Sequence, residues 1–104
     1  MTALSKVSPL IDQFHAAKTH RERADTLLRA PVSLLCKYHE LFTRGALNAG
    51  FVIGAEHIVT LRTAQNATRT ADGTFPVHLD RPLQAQLICL RRIAAGEPYQ
   101  EAKR

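Results

Sequence analysis

The sequence predicts a mainly α domain, a small bundle of four to five helices, with a short β-hairpin near residues 68–78 as the one alternative to an all-helical reading. Three observations carry this. Residues 31–63 hold the densest run of large apolar side chains in the chain, many at three- and four-residue spacings. Helix-start signals recur ahead of apolar stripes, as Ser8-Pro9, Pro31 and Asp80 with Pro82. Apolar residues make up 45% of the chain but tryptophan is absent and aromatics are only 6%, so the core must be built from aliphatic side chains, which suits packed helices.

The first helical region begins at Ser8-Pro9, serine placed to cap and proline in the first turn, and carries Leu10, Phe14 and Ala17 on one face. Continuing that face brings Arg21 into its middle, then Ala24 and Leu28. Thr19-x-x-Glu22 also has the form of a capping box, which would divide the region into helices at 9–17 and 20–29. The expectation is a single helix with a soft centre. Pro31 ends it and opens the next, whose stripe is Leu34, Leu35, Tyr38, Leu41, Phe42 and Gly45. Gly45 inside that stripe points to close helix packing.

Asn48-Ala49-Gly50 reads as a C-terminal cap, and residues 51–66 as another helix with Phe51, Val52, Ala55, Ile58, Val59 and Leu61 apolar. The periodicity there is poor, and Ile58-Val59-Thr60 would also suit a strand. Asp72-Gly73 between two threonine-rich segments is a hairpin-turn signal, with Pro76 confining the second strand to an edge. In the last helix Asp80 is the expected N-cap, Leu83, Leu87, Leu90 and Ala94 form a regular stripe, and Gly96 and Pro98 end it. One domain of residues 1–104 is expected, with frayed ends at about 1–7 and 98–104.

With no apolar run of some eighteen residues and no signal-like leader, the expectation is a cytoplasmic protein that does not enter the membrane. Cys36 and Cys89 are expected to be reduced thiols. Cys36-x-x-His39 supplies two neighbouring metal ligands on a helix flank, but His15, His20, His57, His78 and Cys89 are not spaced to complete a set, so no metal and no cofactor are expected. Gly50-x-x-x-Gly54 lacks the lysine and hydroxyl of a phosphate loop and reads as a turn and a close contact. No family motif for a nucleophile or an acid–base pair is present, and a non-enzymatic protein is expected.

Two binding functions remain. Leu47, Ile53 and Ile88 fall off the main stripes, and a chain of 104 residues has little interior in which to hide them. With Arg91 and Arg92 they form the expected partner surface of a small accessory or regulatory protein acting through helices, as a homodimer or against an acidic protein surface. The alternative follows from the net charge of +5. Lys18, Arg21, Arg23, Arg62 and Arg69 would then contact DNA phosphates. The order helix, helix, hairpin resembles the plan of a winged helix-turn-helix regulator. Residues 46–65 depart from the usual spacing of small residue, turn glycine and buried aliphatic in such regulators.

Overall fold

A computed structural model describes residues 9–99, and its described residues are mainly helical, with no strand among them. Among the described residues six helical segments follow one another: α1 (Pro9–Ala16), α2 (His20–Arg29), α3 (Val32–Lys37), α4 (His39–Asn48), α5 (Val52–Gln65) and α6 (Val77–Ala94). α5 is the central element, touching α2, α3, α4 and α6, while α1 lies against α2 and α4.

The capping box wins over the expected single helix at the N-terminal end. The Thr19 hydroxyl accepts the Glu22 N–H, and the Glu22 carboxylate accepts the N–H groups of Thr19 and Lys18. Those bonds satisfy backbone donors that a continuous helix would have paired with the preceding turn, so a chain break at residues 17–19 costs little. Arg23, on the far side of the break, donates to the Ala17 carbonyl at 2.9 Å and ties the end of α1 down. The break also turns α1, so that Ile11 and Phe14 reach the core independently of Ala24 and Leu27.

The segment opened by Pro31 forms as expected but is interrupted at Tyr38, whose φ of −109° and ψ of 33° separate α3 from α4. Leu35 and Phe42 from its stripe are fully buried, and Phe42 packs on Phe14 with ring centroids 5.4 Å apart. Burying such rings stabilises by about 1.5–3 kcal/mol each. Gly45 makes the expected close approach: a Cβ there would meet His15 at 2.9 Å and Phe14 at 3.2 Å, so α1 lies on α4 at this point.

α4 ends in a Schellman turn. Phe51 N–H donates to the Ala46 carbonyl and Gly50 N–H to the Leu47 carbonyl, and Gly50 takes the φ of +72° that this geometry requires. The turn drives Phe51 into the interior, where it is fully buried at the start of α5. A Cβ on Gly54 would lie 2.6 Å from the Phe51 ring, so the two glycines of residues 50–54 are indeed a turn and a close contact.

The alternative of a hairpin near residues 68–78 is not taken up: these residues form no strand. Its turn is present: Thr70 N–H donates to the Thr74 carbonyl, and the Asp72 carboxylate accepts both threonine hydroxyls. Pro76, however, is the N-cap of α6, so only Phe75 separates turn from helix and no second strand can extend. The early start also displaces Asp80 from its expected cap into the first turn and puts Pro82 inside the helix, where it leaves the His78 carbonyl without its helical N–H partner. Leu83 and Leu90 are buried as the stripe predicts, joined by Ile93.

The expected fraying at about 1–7 lies outside the described residues, as does 100–104. Tyr99, counted with the frayed end, is docked: its ring meets Phe51 and His20 edge-on at 5.4 Å and 5.2 Å, and its hydroxyl accepts the Ile53 N–H. No helix of the described residues is long and apolar enough to cross a membrane.

Candidate functional site

α5 explains why its own periodicity was hard to read. Gly54, Ala55, Ile58, Leu61 and Ala64 are buried, but Val52 and Val59, seven residues apart, lie on a second side that Ala55 adjoins. A helix apolar on two sides is ordinarily covered on both. Here the second side opens onto a groove of about 540 Å³ between α4, α5 and α6. Val52 and Ala55 line it, Leu47 of α4 and Val59 form its exposed edges at 54% and 57% accessibility, and Glu56 is the one charged residue lining it.

Along the α6 side of the groove runs a polar ladder. His57 Nδ1–H donates to Gln86 Oε1 at 3.3 Å, Gln86 Nε2 donates to the Thr60 hydroxyl at 2.9 Å, and Thr60 donates to the Glu56 carbonyl. Burial holds the pKa of His57 below its usual value, against the smaller opposing pull of the Gln86 hydrogen bond. A neutral imidazole is therefore the donor of this bond between α5 and α6, beside the apolar core that the two helices share. Nothing in the spacing of the histidines signalled this, because Gln86 is 29 residues away.

On the other side of Val59 lies a smaller and more polar cleft of about 120 Å³, lined by His39 and Thr43 of α4 and by Ile58, Val59, Arg62, Thr63 and Asn66. Arg62 is near enough to Cys36 to favour its thiolate, but burial outweighs that and pushes the thiol pKa up. Cys36 is thus a poor nucleophile at neutral pH. The Cys36-x-x-His39 pair acquires no third ligand, since no group of three or more metal-ligating side chains occurs among the described residues. Both cysteines are free.

The expected partner residues fall in separate places, with Ile88, Arg91 and Arg92 kept together on α6 at three- and four-residue spacings. Leu47 edges the groove. Ile53 is packed against the core instead, with its N–H bonded to Tyr99. Ile88 is exposed on α6, outside the groove lining, and Arg91 is exposed on the same helix. Arg92 pairs with Glu97 at 3.1 Å. Val59, named in the sequence only as one of the apolar residues of its helix, is a groove residue that the expected partner surface omits; the signal available was its seven-residue spacing from Val52.

The expected DNA-contacting residues are dispersed too. Arg23 is committed to Ala17 and to His20, and the Arg69 guanidinium sits 3.9 Å over the Phe75 ring. Lys18 and Arg21 are exposed beside His20, which stacks on Phe51 at the start of α5. Arg62 lies eleven residues further on, about 16 Å at the helical rise. The wing of the winged-helix plan has no counterpart among the described residues.

Comparison with protein-family models, with curated proteins and with solved structures finds no match to this chain.

Proposed function

We propose that this chain is a non-enzymatic binding protein that pairs with a second copy of itself through α4 and α5, in an accessory or regulatory role. The observation that carries the reading is the open apolar side of α5, where Val59 and Leu47 are exposed across a groove with an aliphatic lining. Leaving such side chains in water forgoes about 25 cal/mol for each Å² of apolar surface that a partner would cover. The occupant is argued from charge. The chain carries a net +5, yet no lysine or arginine lines the groove, so two copies meeting here bring no like positive charges together, and the exposed Glu56 of each copy is the one like-charged pair that the contact has to leave at its solvated edge. A two-fold arrangement would set α4 and α5 of each copy against those of the other.

Light scattering coupled to size-exclusion chromatography over a concentration series tests this. The wild-type chain is expected at twice the monomer mass, and Leu47→Asp and Val59→Asp at the monomer mass, because each places a charge in a dry contact. Ile88→Asp is expected to leave the mass unchanged. Monomer throughout removes the homodimer, and a mass that falls with Ile88→Asp but not with Leu47→Asp moves the interface to α6. Repeating the run with duplex DNA at low and high salt addresses the alternative: a complex that forms only at low salt would favour a DNA-binding regulator.

A further inference from the structure

Beyond self-association, we propose that the cleft between the start of α4 and the end of α5 binds a single phosphate group, free or as a small phosphomonoester, with Arg62 and His39 as its principal donors. The two residues come from different helices, 23 positions apart, and are brought to one cavity of about 120 Å³ together with Thr43, Thr63 and Asn66. That space takes one compact tetrahedral group. Of its polar lining, the Thr63 hydroxyl already donates to the Val59 carbonyl, and one amide proton of Asn66 is used on the Arg62 carbonyl. The lining groups left for a ligand are the guanidinium fork of Arg62, the imidazole of His39, the Thr43 hydroxyl and the second amide proton of Asn66.

The charge balance of the cleft selects an anion. No carboxylate lines it, and Arg62 is in no ion pair with a carboxylate among the described residues, whereas Arg29 and Arg92 each have one. Glu40 follows His39 in the chain but is exposed and does not line the cleft; it borders a neighbouring depression that shares His39 and also contains Lys37, whose charge offsets that of Glu40. The spread of donors selects phosphate over carboxylate. A guanidinium can hold two oxygens of one anion in parallel, and donors on the facing helix then need a third oxygen, which phosphate has and a carboxylate lacks.

The test is an NMR titration of the full chain with sodium phosphate, sodium chloride being exchanged out to keep ionic strength constant. Saturable shifts of the Arg62 side chain and of the amides at His39, Thr63 and Asn66 are expected, with phosphoserine giving the same pattern. Arg62→Ala should weaken binding at least tenfold, and Arg62→Lys should fall between, because it keeps the charge and loses the fork. Since Arg62 is exposed and its side chain is not needed for packing, both variants should keep the wild-type circular dichroism. Arg81→Ala, an exposed cation on α6 away from the cleft, should bind as wild type. Shifts that stay linear with phosphate overturn the proposal, as does an equal loss with Arg81→Ala. Saturation of the same residues by duplex DNA, with none by phosphate or phosphoserine, also overturns it and assigns the cleft to a polynucleotide backbone.

Discussion

Ile58 and Val59 are adjacent in the chain and nearly the same in chemistry, yet one is 1% exposed and the other 57%. Ile58 faces the interior shared by α4, α5 and α6; Val59 divides the apolar groove from the polar cleft. The 100° step of a helix separates a residue that holds the fold from one that is available to a partner. The difference also shows what a flat hydrophobic pattern means: α5 carries apolar residues on one side for folding and on another for contact, and the two overlap in any sliding window.

The sharpest way to break the comparison is to truncate the two residues in turn. Ile58→Ala removes a fully buried side chain from the middle of α5 and should cost about 2–5 kcal/mol in urea unfolding. A loss of less than about 1 kcal/mol would mean that the inner side of α5 is loosely packed and that the contrast with Val59 is overstated.

Gly54→Ala probes the same inner side from the other direction. The added Cβ would sit 2.6 Å from Phe51 and 3.1 Å from Leu27, both buried, so neither can swing into solvent. Overpacking costs about 1–3 kcal/mol, partly offset by about 1 kcal/mol from replacing glycine within a helix. A net loss of about 0–2 kcal/mol is expected, and an increase in stability would show that the ring has room to move.

Thr19→Ala removes the hydroxyl half of the capping box and should cost about 1 kcal/mol. Its effect should be confined to the α1–α2 break, seen as faster amide exchange at Glu22 and Arg23 with none on α5. Loss of protection across α5 would instead make the N-terminal break part of the central packing unit.

A shallower dependence is expected on pH. His57 is held below its ordinary value of 6.5 by burial, so the folded state resists the proton that the unfolded state accepts. In the window below about 6.5 and above the depressed folded value, the unfolded chain binds more protons, so stability rises with pH. Its contribution is complete above the unfolded value and is lost as the solution is acidified through this window. Urea midpoints between pH 7.5 and 5 should fall on acidification, and His57→Gln should flatten the profile. An unchanged slope in the variant assigns the acid sensitivity to other groups; Glu22, whose pKa the N–H groups of Lys18 and Thr19 hold below the ordinary 4.5, would lose its contribution only at lower pH.

Much of the fold was legible because local chemistry decides it. Pro9, the Schellman turn at Gly50 and the stripe of Leu83 and Leu90 each work within a few residues of themselves. The break at residues 17–19 was legible as a motif but needed weighing against a continuous stripe, and the reciprocal bonds of Thr19 and Glu22 settle it. The absent hairpin turns on where α6 begins: Asp72-Gly73 does make its turn, but Pro76 starts a helix three residues on. The site was legible least. Arg62 with His39, Gln86 with His57 and Tyr99 with His20 are joined only by the packing of α2, α4, α5 and α6 and of the segment that follows them, which no spacing along the chain encodes.

The smallest expected effect on stability completes the comparison. Val59→Ala removes two methyl groups that are mostly in water, and valine is the poorer helix former of the two, so the folded chain should change by no more than about 0.5 kcal/mol. If α4 and α5 pair with a second copy, each interface loses Val59 twice, once from each chain, and the dimer should dissociate at lower dilution while the urea midpoint of the monomer stays put. The two readings can therefore be separated on one variant: an equal fall in both quantities would place Val59 in the fold, and a fall in association alone would place it in the contact.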